Sequence, residues 1–358
     1  MVTGIITQPL YANYGGILQN YALQQVLKEM GHSPVTLDYL PSLSFGRYLL
    51  YVGKWVLLAP FPRWSHPLKP YRHFLDRQPE IAAFVKDNIV TTRKLTRYSA
   101  AALRKHEIKA LVVGSDQVWR YAYNAQCIED MYLGFAQDFP CLKLAYGASF
   151  GVDQWDYPET VTNGIKELVK RFDAVSVREN AAIGLCQEHL GVDAQLVLDP
   201  TLLLPASEYA KFCPEPVPDS APYLAAYILD INEEKRNYIA AFAAANGLAI
   251  KDMTVSDKGV SIEEWLSTIK HAEFVITDSY HGSLFSIIFQ KQFQTILNKE
   301  RGADRFLTVF DKLGLTSRLS SGVPTAPEVV DSIDYAPVFS KLNRLREESI
   351  SFLRNSLR

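Results

Sequence analysis

The stretch Phe274–Val275–Ile276–Thr277–Asp278–Ser279–Tyr280–His281–Gly282–Ser283–Leu284–Phe285 decides the fold. A β-branched, apolar run stops at Thr277, polar residues follow, and an apolar helical pattern (Leu284, Phe285, Ile287, Ile288) begins at once. This reads as a strand, a tight turn and a helix N-terminus, with a histidine, two serines and a glycine at the junction. The first backbone N–H groups of a helix lack intrahelical partners and the helix dipole is positive there, so the junction suits an anion. An imidazole in the same turn exchanges a proton near neutral pH. Together these point to chemistry on a phosphorylated or carboxylated substrate.

The same alternation extends both ways. Short apolar runs at 5–7, 35–39, 110–113, 142–146, 174–177 and 195–198 are separated by helical stretches, the first at 17–30 with Gly31 as its stop. Prolines 205, 214, 216, 218 and 222 break the regularity over a linker. Strands near 223–229, 248–253, 273–277 and 293–297 then alternate with helices at 233–246, 261–270, 280–290 and 303–313. Residues 339–358 read as one amphipathic helix. The pattern predicts an α/β fold of two Rossmann-like domains facing a cleft. The expected boundaries are 1–204 for the first domain, 205–222 for the linker, 223–336 for the second domain and 337–358 for a terminal helix. Ligands in such sheets bind beyond the carboxyl ends of strands, so the strand-to-helix turns should line one site.

Composition narrows the class. The 358 residues are 48 % hydrophobic and 21 % charged, with a net charge of −2, which argues against disorder and against a generally basic nucleic-acid binder. Four cysteines without a C-x-x-C pair suit a reduced, cytoplasmic protein, and no metal-ligand spacing is visible. The first residues read as a strand, without the basic and apolar regions of a signal peptide. No run reaches the roughly 20 apolar residues that span a bilayer. An insertion at 42–77 is unusual: residues 42–75 contain no acidic side chain and mix Arg47, Lys54, Arg63, Lys69 and Arg72 with eight aromatic residues. Two readings stand for it: an ordinary amphipathic insertion packed on its domain, or a surface through 45–75 that lies on anionic headgroups or a lipid-linked substrate.

Six stretches occur in a fixed order over roughly residues 3–315. They are Asn13–Tyr14–Gly15–Gly16 with the helix after it, Val113–Gly114–Ser115–Asp116–Gln117–Val118–Trp119, Tyr146–Gly147–Ala148–Ser149–Phe150–Gly151, Val175–Ser176–Val177–Arg178–Glu179, Val197–Leu198–Asp199–Pro200–Thr201–Leu202, and Thr277–Asp278–Ser279–Tyr280–His281–Gly282–Ser283. In that order the chain resembles the polysaccharide pyruvyl transferase family. The resemblance implies a fold similar to the two-domain (GT-B type) glycosyltransferases. It also implies transfer of a carboxyethylidene group from phosphoenolpyruvate to two hydroxyls of one sugar, forming a pyruvate ketal and releasing phosphate. The acceptor it implies is a surface polysaccharide precursor, often lipid-linked, and a peripheral position at the inner face of the membrane would follow.

That chemistry needs a proton for the methylene carbon, acceptors for hydroxyl protons, and stabilisation of the departing phosphate. His281 is the expected general acid. Asp116, at a strand end, is the candidate that orients or deprotonates a hydroxyl; a turn aspartate is its plain alternative. Ser279 and Ser283 are candidates for phosphate contacts or for helix capping. Some branches of the family carry an arginine just before the histidine; here Tyr280 stands there, so the anion-binding arginine must be Arg178, Arg301 or Arg305. Asn13, Gly15, Gly16 and Ser115 suit loops that approach ligand closely, and Tyr14 or Trp119 suits either a sugar face or the core. The glycines lack the G-x-G-x-x-G spacing, so no dinucleotide cofactor is expected. Asp199, before Pro200, is expected only to fix a turn. Rival readings are a nucleotide-sugar glycosyltransferase of the same architecture and a non-catalytic glycan-binding homologue.

Overall fold

The computed structural model describes residues 1–11, 13–39, 79–215, 221–253, 260–298, 302–324 and 331–358. The whole of the insertion 42–77, part of the linker, and Arg301 lie outside the described residues. The first sheet holds β1 (Val2–Ile6), β2 (Ser33–Thr36), β3 (Ala110–Val113), β4 (Leu142–Ala148), β5 (Ala174–Val177) and β6 (Gln195–Leu196) in the order β2-β1-β3-β4-β5-β6. The second holds β7 (Tyr223–Tyr227), β8 (Ala249–Asp252), β9 (Phe274–Thr277), β10 (Gln292–Ile296) and β11 (Leu319–Ser320) in the order β11-β10-β9-β7-β8. Every pairing in both sheets is parallel. Central strands β3 and β9 are buried along their whole length, which is why each reads as an unbroken apolar run. The fold is α/β, with two Rossmann-like sheets.

In each sheet the strand order reverses once, between β1 and β3 in the first and between β7 and β9 in the second. Helix α1 (Tyr14–Glu29) leaves β1, and the Ser115–Asp116 turn leaves β3. The Asp278–His281 turn leaves β9. Crevices at such switch points are where open α/β sheets take ligands.

The two sheets share one buried apolar cluster, which joins Ile17, Leu18 and Leu198 of the first half to Trp265, Phe285 and Phe306 of the second. Tyr14 explains part of this seam. Its ring stacks on Trp265 of α3 (Ile262–His271) at 5.7 Å and 13°, and its hydroxyl donates to the Val260 carbonyl at 2.7 Å. Tyr14 is thus a strut between the halves, not an open platform for a sugar; Trp119, fully buried, is core as well. The last helix, α6 (Tyr335–Ser356), returns to the first half: Ser349 Oγ accepts from Leu198 N at 2.9 Å, and Arg346 Nε donates to Leu202 O at 2.8 Å. Among the described residues no helix is long and apolar enough to cross a membrane.

Candidate active site

The turn after β9 is held by its own side chains. Thr277 Oγ1 donates to Tyr227 O at 2.6 Å and accepts from Ser279 N at 3.0 Å. Asp278 accepts from Leu229 N at 2.6 Å, from Asp230 N at 3.2 Å and from Lys235 Nζ at 2.7 Å. Ser279 caps α4 (Tyr280–Ile288), its Oγ accepting from Gly282 N at 3.3 Å. A Cβ at Gly282 would overlap Thr277, so glycine lets the helix sit this close to its strand. His281, the second residue of α4, therefore leaves the second half in a fixed direction.

Its ring crosses the seam and ends in the first half. A Cβ on Gly15 would overlap the imidazole at Nδ1, which gives Gly15 its reason. On the other side His281 Nε2 lies 3.7 Å from Asp199 Oδ2, within ion-pair range for a protonated ring and without any hydrogen-bond partner. The residue is 7 % exposed. Asp199 does fix a turn as expected, its Oδ1 accepting from Thr201 N at 3.0 Å and Thr201 Oγ1 at 2.7 Å. Its other oxygen does more than that, for Oδ2 also accepts from Arg178 Nη1 at 2.7 Å and from Gln19 Nε2. Burial alone would raise the Asp199 carboxyl, but His281, Arg178 and Thr201 outweigh it and hold it well below the usual range. The sequence alone places Asp199 in a turn, whereas the structure brings it into the site. The available signal was that its turn occupies only one carboxylate oxygen.

Arg178 follows β5 and is wholly buried among acids: Asp199 at 2.7 Å, Asp116 at 3.2 Å and Glu179 at 3.8 Å. Burial opposes its charge, yet Asp199 and Asp116 push its proton affinity above the ordinary arginine value. Its charge is already matched, so it serves as a keystone and is not a free anion grip. Asp116 is equally committed: Oδ1 accepts from Gln117 N at 2.9 Å and from Arg178 Nη2, and Oδ2 accepts from Asn13 Nδ2 at 2.9 Å. Gly16 packs against that pair, where a Cβ would stand 3.2 Å from Asp116 Oδ2.

Arg305 differs. It is the second residue of α5 (Asp304–Leu313) and is 7 % exposed. It has no ion pair among the described residues, and its Nε has no hydrogen-bond partner. Burial, then repulsion from Arg178, lowers its pKa to about 10. Tyr280 lies between the two arginines, its ring centroid 5.2 Å from Arg178 Cζ and 5.1 Å from Arg305 Cζ. Helix α5 is clamped across the seam to α2 (Asn180–Leu185): Ala181 N donates to Asp304 at 2.9 Å and Asn180 N to Thr308 Oγ1 at 3.0 Å.

The remaining candidates divide. Asn13, Gly15, Gly16, Asp116, Arg178, Tyr280, His281 and Arg305 are brought to one place. Ser279 is a cap. Ser283 is turned inward, its hydroxyl donating to Ser279 O at 3.0 Å and lying 2.7 Å from Thr295 Oγ1 of β10. Ser115 donates to Gly147 O at 3.0 Å. Among the described residues no group of three or more His, Cys, Asp or Glu side chains is placed to hold a metal ion.

Comparison with known proteins fits this arrangement. A glycosyltransferase from Rickettsia africae ESF-5 superposes with a TM-score of 0.51 at 10 % identity, covering 99 % of this chain and 94 % of that one. The likeness shows the fold alone, a two-domain arrangement of the GT-B type. The UDP-GlcNAc 2-epimerase of Methanocaldococcus jannaschii, in complex with UDP-GlcNAc and UDP, is also similar, with a TM-score of 0.46 at 11 % identity over 96 % of this chain and 92 % of that one. No curated protein matches the sequence. The model of one family, described as polysaccharide pyruvyl transferase, matches residues 13–300, a span that holds every residue of the site except Arg305. The chain belongs to the polysaccharide pyruvyl transferase family.

Proposed function

We propose that this chain transfers a carboxyethylidene group from phosphoenolpyruvate to two hydroxyls of one sugar in a surface polysaccharide precursor, forming a cyclic ketal and releasing phosphate. One observation carries the reading: Arg305 is a buried guanidinium without an ion pair among the described residues, packed on the same Tyr280 ring as an imidazole that faces a carboxylate. A buried charge without a partner is costly, and the cost is relieved when an anion arrives. Phosphoenolpyruvate brings both a phosphate and a carboxylate. Asp199, held ionised, faces His281 Nε2 at 3.7 Å from the first half. His281 then delivers a proton to the methylene carbon. Arg178 keeps Asp116 and Asp199 in place. The chemistry so written requires neither metal nor dinucleotide, and its donor places it in the cytoplasm. A lipid-linked acceptor and a membrane contact through 45–75 belong to the same reading.

The test is phosphate release from phosphoenolpyruvate with methyl β-D-galactopyranoside or methyl α-D-mannopyranoside as acceptor. His281→Asn should lower the rate by about 10²–10⁴-fold, as for loss of a general acid, with phosphoenolpyruvate affinity nearly unchanged. Tight binding of a nucleoside diphosphate with no phosphate release would favour a glycosyltransferase and end this reading.

A further inference from the structure

Three carboxylates surround Arg178, and they are not equivalent. Both oxygens of Asp116 and both of Asp199 are occupied by the donors named above. Glu179 is different. Its Oε1 accepts from Phe150 N at 2.9 Å and Gly151 N at 3.2 Å, which fixes the side chain against the loop leaving β4. Its Oε2 has no hydrogen-bond partner, although the residue is only 1 % exposed. Three further buried polar atoms share that condition nearby: Ser149 Oγ, Arg178 Nε (3.8 Å from Glu179 Oε2) and Arg305 Nε. Buried polar atoms are ordinarily paired, and a group of donors and acceptors unpaired together marks the place of a polar ligand. Two of these atoms donate, one accepts, and the hydroxyl does either. An anionic substrate suits the Arg305 nitrogen, whose charge has no ion pair among the described residues, and a hydroxyl suits the carboxylate.

We propose that Glu179 is the base that receives the proton of the first acceptor hydroxyl, the task that the sequence reading gave to Asp116. This rests on the pyruvyl-transfer reading above and names the atom that completes it. The hydroxyl proton passes to Glu179 Oε2 as the sugar oxygen bonds to C2 of the enol. The π electron pair takes the proton carried by His281 onto C3, which becomes a methyl group. No bond to phosphate breaks in this step, and two protons have each moved once. Asp116 and Asp199, their lone pairs spent on fixed donors, orient Asn13, Arg178 and His281.

The surroundings of Glu179 support the assignment. Burial raises its proton affinity, while Arg178, Ser149, Gly151 N–H and Arg305 lower it, and burial prevails. Tyr280 of α4 and Cys186, on its own helical stretch, are the other titratable groups facing it. A base with raised proton affinity takes a hydroxyl proton better than an ordinary carboxylate does. The acid limb of the kcat/KM profile should therefore lie above the usual glutamate range and belong to this residue.

Glu179→Gln keeps the shape and the Oε1 acceptor but removes the base. With the two methyl hexosides, phosphate release should fall by about 10²–10⁴-fold. The calorimetric affinity for phosphoenolpyruvate should hold, the acid limb should vanish, and the melting temperature should not drop. Formate should restore rate to Glu179→Ala, because a small carboxylate can occupy the vacated place. An unchanged rate in Glu179→Gln overturns the assignment, as does loss of rate and phosphoenolpyruvate binding together or failure of formate to rescue. Absence of phosphate release from the wild-type chain itself is a different result, and it removes the pyruvyl-transfer reading along with the base.

Discussion

Two arginines flank the Tyr280 ring at nearly equal distance, and both are buried, yet they play opposite parts. Arg178 has three carboxylates within 4 Å and draws together the turns that leave β3, β5 and β6. Arg305 comes from the other half and has no ion pair among the described residues. Residue type and burial do not separate the two; partners do. A buried charge whose partners belong to the fold is part of the architecture, whereas one without them is held ready for something that arrives.

The largest expected effect is on Arg178. Replacing it with methionine leaves Asp116 and Asp199 buried without their counter-charge, and breaking a buried pair in this way costs about 3–5 kcal/mol. Calorimetric melting of Arg178→Met should show the loss at neutral pH. The gap should close in acid. Asp199 is held below the usual carboxylate range, so its contribution is present above the unfolded-state value and disappears as pH falls through the folded one. A variant that melts with the wild type at pH 7 would show that Arg178 is not the keystone.

Arg305→Met should do the reverse. It substitutes an apolar chain of similar length for an unpaired cation, so the fold should keep or gain stability. Phosphoenolpyruvate affinity should fall by about 10–100-fold, since a hydrogen bond to a charged group contributes about 1.5–3 kcal/mol. Titration calorimetry reads this directly. Retained affinity in Arg305→Met would erase the distinction between the two arginines.

How much of this was legible in the sequence follows from what each feature depends on. The β9–α4 junction depends on neighbours in the chain, and Phe274–Thr277 followed by a Ser279 cap announces it. Helix α1 begins at Tyr14, three residues earlier than its apolar pattern suggested, because Gly15 and Gly16 are weak helix formers kept for close packing on His281 and Asp116. Strand β11, two residues long, carries no pattern at all. The neutralisation of Arg178 joins residues 62 and 21 positions apart, and no local signal encodes such a meeting. Glu179 carries no local signal either, since its free oxygen shows only once the hydrogen bonds of Phe150 N and Gly151 N to its other oxygen are known. Tyr14 was open to two roles for the same reason, as its stacking partner lies in the other half.

The smallest effect is the most selective test of what keeps the arginines apart. Tyr280 offers each guanidinium a ring face, an attraction of about 0.5–2 kcal/mol per contact, and physically separates two like charges. If the face is what matters, removing the phenolic oxygen should change little. Tyr280→Phe is then expected to bind phosphoenolpyruvate within about threefold of the wild type, well under 1 kcal/mol, and to melt at nearly the same temperature. Burial already pushes the phenol's proton affinity upward, so at neutral pH the hydroxyl is neutral and adds no charge to the balance between the arginines. A tenfold loss of affinity in Tyr280→Phe would mean instead that the hydroxyl touches the anion, and that the tyrosine has taken over part of the work of the arginine found before this histidine in some branches of the family.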